Sequence, residues 1–176
     1  MSQRLVEQVT QTIRDIPDFP KPGIMFKDIT PVLGDPRLFA DTVNWVAGQL
    51  AGQAVDKIVG MESRGFIFGA AVAPQVFAGF VPARKPGKLP YESVSVSYDL
   101  EYGSATLEIH KDAIKPGDKV AIVDDLLATG GTAKATVDLV RKLGGEVVAC
   151  IFLVELAFLQ GRWKLDCPVM SLVSYE

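Results

Sequence analysis

The chain has 176 residues, 48% of them hydrophobic and 22% charged, with a formal net charge of -3. That length and balance fit a single globular domain, residues 1–176, with a proper core. The acidic balance argues against general nucleic-acid binding, no apolar run is long enough to span a membrane, and the polar start MSQRLVEQVTQTIRDI is not a signal peptide.

Leu5, Val9, Ile13 and Ile16 recur at near-helical spacing and predict an amphipathic N-terminal helix. It runs into PDFPKPGIMFKDITPVLGDP, where Pro17, Pro20, Pro22 and Pro31 forbid a continuous helix. This irregular segment keeps Ile24, Met25 and Phe26 together, and long loops in compact domains are often functional. Asp35 and Pro36 read as the N-cap and first residue of a helix through RLFADTVNWVAGQLAG. KIVGME reads as a buried strand, GFIFGAAVAPQVF as an apolar helix interrupted late by Pro74, and GFVPARK as another strand. KPGKLPYESVSVSYDLEYGS is rich in turn residues and polar alternation, which predicts a mobile loop or hairpin. ATLEIHKDA alternates as a half-buried strand should. PGDKVAIVDD is a turn into a strand, followed by a loop and a helix stopped by Gly144 and Gly145. EVVACIFLVEL and PVMSLVSY complete the strands. The alternation predicts an α/β fold: a mainly parallel, twisted sheet flanked by helices on both faces.

Ligands of such sheets sit at the carboxyl ends of the strands. Glu62-Ser63-Arg64 and Asp124-Asp125 both fall there. In DDLLATGGTAKA a strand ends at the two aspartates and a helix begins near Gly131 or Thr132. The first turn of a helix offers unpaired N–H groups and positive dipole to an anion. Gly130 and Gly131 allow close approach, and Thr129 and Thr132 add hydroxyls. Neither a Gly-Lys-Ser/Thr triplet nor a G-x-G-x-x-G is present at this loop. Carboxylates repel phosphate, so the ligand needs a second part: the vicinal hydroxyls of a ribose, or Mg²⁺ held through water. The segment therefore reads as a cradle for ribose 5-phosphate. Cations for a more anionic ligand are close in sequence, since between Glu62 and Glu92 the chain carries Arg64, Arg84, Lys85 and Lys88 and no acid.

VAIVDDLLATGGTAKA resembles the phosphoribosyl-pyrophosphate signature of the type I phosphoribosyltransferases. FPKPGIMFKDITPVL, MESRGFIFG, ARKPGKLP, LEYGSATLEIHKDAI and LVEL resemble, in order, blocks of that family's adenine-specific branch, and the likeness runs nearly the whole chain to the final SYE. The resemblance implies transfer of ribose 5-phosphate from phosphoribosyl pyrophosphate to adenine, giving AMP and pyrophosphate. By likeness Ala128, Thr129, Gly130, Gly131 and Thr132 hold the 5-phosphate, while Asp124 and Asp125 attend the ribose hydroxyls, directly or through water on Mg²⁺. Glu62, Ser63 and Arg64 match the pyrophosphate loop, where the family often has a non-proline cis peptide. Arg84 and Lys88 are further pyrophosphate candidates, one of which the family can supply from a homodimer partner. Pro86 stands where some relatives carry another basic residue, which implies fewer cations here.

Glu101 and Tyr102 match the catalytic loop, within a mobile stretch of about 86–104; Glu101 would hydrogen-bond the incoming base and manage its proton. An N-terminal helix and hood, about 1–33, would cover the base site above a core of about 34–176. Met25 and Lys27 would meet the base, with Phe26 stacking on it and Leu156 closing the other side. His110, Trp45 and Trp163 read as structural residues and Cys150 as a free core thiol, consistent with the cytoplasm. The competing expectations are a phosphoribosyltransferase for another purine, or a non-catalytic phosphoribosyl-pyrophosphate-binding regulator. A regulator would bring a DNA-binding segment or basic helix and would not need Glu101.

Overall fold

The N-terminal periodicity folds as α1 (Ser2–Thr12), which buries Leu5 and Val9. The helix stops short of Ile16, which lies instead on β1 (Arg14–Pro17), paired antiparallel with β2 (Met25–Asp28). Pro17 explains the correction, because the residue before a proline is pushed into extended backbone. Pro31 sits in the first turn of α2 (Thr30–Gly34), where a missing N–H costs nothing. Asp35 caps α3 (Pro36–Gln49) as expected, its Oδ1 accepting from the amides of Arg37 and Leu38, each at 2.9 Å.

The computed structural model describes residues 2–99 and 104–176, which divide into compact units Met1–Val46 and Ala47–Glu176. In the second unit, β3 (Lys57–Met61), β4 (Gly79–Ala83), β7 (Lys119–Leu127), β8 (Glu146–Leu156) and β9 (Val169–Tyr175) form a parallel sheet in the order β4-β3-β7-β8-β9. Strands β3, β7 and β8 are near-continuous apolar runs, as strands covered on both faces must be. The helix α4 (Gly65–Val72) links β3 to β4, and α5 (Gly131–Lys142) links β7 to β8. Pro74 falls in the short 3-10 turn that ends the first of these connections. The two crossovers run in opposite directions from the β3–β7 pair. Since such crossovers are right-handed, the helices cover opposite faces and a crevice opens beyond the ends of β3 and β7.

The segment expected to be a loop or hairpin is a hairpin over its described part: β5 (Ser93–Asp99) pairs antiparallel with β6 (Ser104–His110). Leu107 and Ile109 of β6 are buried, as its alternation predicted. Cys150 is a buried free thiol, its Sγ 3.5 Å from that of Cys167. Trp163 is not a packing residue. It is 82% exposed, because the short turn Gly161–Lys164 directs Arg162 inward and the next side chain outward. His110 lies edge-on to Tyr91, with ring centroids 6.1 Å apart.

Candidate functional site

The register sets Gly60 of β3 beside Val123 of β7, so the next residues of both strands emerge together at the crevice. From β7 come Asp124 and Asp125. The helix after β3 starts at Gly65, and a Cβ there would lie 2.7 Å from Asp124 Oδ1 and 2.8 Å from Val123 O. Only glycine lets α4 begin so close to the β7 end.

Asp125 is 4% exposed, and its Oδ2 lies 2.9 Å from Arg64 Nε. The pair is ionic, yet no aligned hydrogen-bond donor reaches that oxygen. Asp124 is half-buried, and its Oδ1 accepts from the Asp125 amide at 2.9 Å. Burial first, then the Asp125 charge, pushes the Asp124 carboxyl well above its ordinary range; burial also raises Asp125, against the pull of Arg64. Two adjacent carboxylates at a strand end are costly to keep charged. Such cost is a mark of function rather than of stability.

Beyond them the chain turns through Ala128, Thr129 and Gly130 into α5. Gly130 has φ +77°, which side-chain-bearing residues rarely adopt. The first turn of α5 has no side-chain cap and no acidic residue. Its amides and dipole therefore face a cleft of about 180 Å³ lined by Asp124, Ala128, Thr129, Gly130, Gly131 and Thr132 among others. The volume is right for one phosphate-bearing group. A larger hollow of about 600 Å³ lies within the first unit, beside Leu5, Leu38 and Trp45, but the helix start there is already capped by Asp35. The smaller cleft is the one that sets a carboxylate beside an uncapped helix start.

A second cluster forms after β3 and β4. The Glu62-Ser63 peptide is cis, as the likeness implied. Glu62 Oε2 accepts from the Lys85 amide at 3.0 Å and lies 3.4 Å from Arg84 Nε. The Lys85 amide, and then Arg84, hold the Glu62 carboxyl below its ordinary range. Arg84 also donates to Lys88 O at 3.1 Å, which ties the two expected pyrophosphate cations together, and Lys88 itself is exposed. Met25, Phe26 and Lys27 lie on β2 in the first unit. There Phe26 meets Phe19 edge to face at 5.0 Å, and Lys27 Nζ donates to Asp15 at 2.7 Å. Leu156 is half-buried at the end of β8. Glu101 and Tyr102 lie outside the described residues.

Two contacts at this cleft had no counterpart in the sequence analysis. Tyr98 Oη lies 3.0 Å from Thr132 Oγ1, tying the β5–β6 hairpin to the first turn of α5. Gly161 packs its backbone against Ala128 and Gly130. A lone tyrosine in polar alternation gives no signal. The glycine gives none either; the signal nearby is Glu155 in the apolar run CIFLVEL, a carboxylate that needs a partner and finds it in Arg162.

The comparisons with known proteins show the family and the fold. A phosphoribosyl transferase domain model matches residues 37–169. An adenine phosphoribosyltransferase of Trichlorobacter lovleyi is 57% identical over 171 residues, covering 97% of this chain and 100% of its own. The crystal structure of adenine phosphoribosyltransferase from Thermoanaerobacter pseudethanolicus superposes with a TM-score of 0.94 at 54% identity, covering 97% of this chain and 99% of that one. That of Saccharomyces cerevisiae, complexed with adenine and an imino-altritol bisphosphate, has a TM-score of 0.92 at 41% identity, with 97% and 99% covered.

Proposed function

The chain belongs to the adenine phosphoribosyltransferases within the phosphoribosyl transferase domain family, and from that premise we propose that it converts adenine and phosphoribosyl pyrophosphate to AMP and pyrophosphate. The observation that carries this reading is the carboxylate pair set beside an uncapped, acid-free helix start at the switch point of the sheet. The C1′–O bond to pyrophosphate breaks, the bond from adenine N9 to C1′ forms, and the N9 proton leaves. The amides of 129–132 hold the 5-phosphate, while Asp124 and Asp125 accept from the ribose hydroxyls and offset positive charge that grows on the sugar. Arg64, Arg84 and Lys88, with the backbone at Glu62 and Ser63, receive the charge that grows on pyrophosphate. Arg64 starts from its pair with Asp125, so it can serve substrate and carboxylate together. Met25, Phe26, Lys27 and Leu156 are assigned to the base, and Glu101 and Tyr102 to the reacting atoms, by family likeness.

Mg²⁺ fits this donor set. Among the described residues no cluster of three or more His, Cys, Asp or Glu could hold a metal alone. Two aspartates supply part of a shell, which suits an ion that keeps several waters and takes its other ligands from substrate phosphates. Bound there, it would neutralise charge on pyrophosphate. A homodimer and a cytoplasmic location belong to the same proposal, the latter supported by the free thiols of Cys150 and Cys167. No helix among the described residues is long and apolar enough to cross a membrane. The test is incubation with Mg²⁺, phosphoribosyl pyrophosphate and each purine base in turn. AMP should accumulate with adenine, and no nucleotide product from adenine would end the proposal.

The carboxylates also give a prediction of opposite signs. Both pKa values are raised on folding, so their contribution to stability is present below the ordinary Asp value of 3.8 and is lost as pH rises through the raised values. At neutral pH the charged pair therefore costs stability. Asp124→Asn should melt at a higher temperature than wild type at neutral pH, while its efficiency with phosphoribosyl pyrophosphate falls roughly 10–100-fold for a lost charged hydrogen bond. In wild type, substrate affinity should weaken at a higher pH than an ordinary carboxylate would give as the solution is acidified. Wild-type efficiency in Asp124→Asn would remove this carboxylate from the site.

A further inference from the structure

Strand β8 carries one carboxylate inside its apolar run. Glu155 is 5% exposed, and its Oε1 accepts from Arg162 Nε at 2.9 Å. Its Oε2 accepts from Arg162 Nη2 and from Ser171 Oγ, the latter at 2.7 Å. Arg162 Nη1 donates to Val169 O at 2.8 Å. The guanidinium, then Ser171, holds the Glu155 carboxyl below its ordinary range despite burial. The carboxylate is buried while the Arg162 side chain stays 41% exposed; a charge taken out of water adds little net stability over an apolar residue of similar shape, so its presence calls for another reason. What a two-pronged guanidinium does give is direction. Here the direction is that of the turn Gly161–Lys164.

The turn meets the phosphate loop backbone to backbone. A Cβ on Gly161 would lie 2.0 Å from Ala128 O and 2.8 Å from Gly130 N; one on Gly130 would lie 2.3 Å from Gly161 O. Neither partner is the end of a flexible side chain, so neither can give way cheaply. Glu155 is the register partner of Leu127, the last residue of β7 before that loop. The same strand position thus anchors the turn and adjoins the loop. We propose that Glu155 and Arg162 are positioning residues: they fix the Gly161 turn, and the turn braces residues 128–132 in the shape that receives the 5-phosphate.

This inference rests on the assignment of that loop to the 5-phosphate, so it is tested by binding as well as by turnover. Ribose 5-phosphate is titrated calorimetrically into wild type, Gly161→Ala, Arg162→Met and Arg162→Lys, and the KM for each substrate is measured on the same proteins. Gly161→Ala and Arg162→Met should raise the Kd for ribose 5-phosphate and the KM for phosphoribosyl pyrophosphate roughly 10–100-fold, the scale of an ångström of misplacement. The KM for adenine should stay near wild type, and Arg162→Lys should fall between. Two controls should stay within about twofold: Gly48→Ala, where a Cβ meets nothing within 4 Å, and Arg141→Met, which removes the exposed pair with Asp166. If Arg162→Met does not fold, Gly161→Ala still reads the contact without touching the ion pair. Folded variants with wild-type Kd and KM, or with the KM for adenine raised as much as the other constants, would overturn the brace. A wild type that turns over adenine yet binds no ribose 5-phosphate would instead overturn the reading of the loop.

Discussion

Glu101→Gln should lower kcat by roughly 10²–10⁴-fold, the usual span for a positioned acid–base group, and leave the KM for phosphoribosyl pyrophosphate close to wild type. As pyrophosphate leaves, adenine N9 attacks and its proton must go. A carboxylate hydrogen-bonded to the base can steady the imidazole ring and manage that proton, whereas an amide can only hydrogen-bond. Residue 101 lies in the connection between β5 and β6, whose flanking residues Asp99 and Ser104 are register partners. The hairpin is tied to the first turn of α5 through Tyr98 and Thr132. This tether sets the described end of β5 beside the loop proposed to hold phosphate, and the role of Glu101 rests on family likeness. Single-turnover rates separate chemistry from binding. A variant that keeps its turnover and loses only affinity would make Glu101 a substrate-holding residue instead.

Adenine should be preferred over hypoxanthine by roughly 10⁴–10⁵ in kcat/KM, the range open to a site built around a substrate's own hydrogen-bonding groups. Adenine presents an amino donor beside a ring-nitrogen acceptor; hypoxanthine presents an oxygen acceptor beside an N–H donor. The family likeness sets the base against the backbone of Met25. Opposite Met25 in the β1–β2 pairing stands Pro17, which has no N–H to donate to the Met25 carbonyl. A carbonyl in that position suits adenine's amino group. Hypoxanthine would set oxygen against oxygen and N–H against N–H, and each unpaired buried group costs about 1–3 kcal/mol. Because these contacts are backbone, Met25→Leu should keep the preference, while Phe26→Ala should impair use of every base. The ratio of efficiencies for the two bases, in wild type and both variants, is the measurement. Comparable efficiency with hypoxanthine in wild type would sink the adenine assignment.

The parts of this protein legible in its sequence are those written in local patterns. The apolar runs of β3, β7 and β8, the Asp35 cap of α3 and the start of α5 at Gly131 each follow from a few adjacent residues, and the structure has them in place. The loop proposed to hold phosphate had a legible shape for the same reason, since DDLLATGG holds a strand end, a turn and a helix start within eight residues. What escaped are contacts between residues far apart in the chain. Arg64 pairs with Asp125, Tyr98 with Thr132, and Gly161 with Ala128, and none of these has a local signature. The Arg64 pairing bears most on function, because a group expected to act in catalysis at the pyrophosphate also faces a buried carboxylate. Local spacing also misled twice. Ile16 continued the helical period but was drawn into β1 ahead of Pro17, and Trp163 counted as packing although the inward turn of Arg162 puts it in solvent.

The central claim is that one cleft divides the substrate, with amides for phosphate and carboxylates for sugar. A crystal structure of the protein with AMP tests it most directly. The phosphate should lie against the amides of residues 129–132 at the start of α5, with the ribose hydroxyls within hydrogen-bond distance of Asp124 and Asp125 and the adenine against Met25 and Phe26. A phosphate bound at Arg84 and Lys88 instead, or a ribose turned away from both aspartates, would contradict the account.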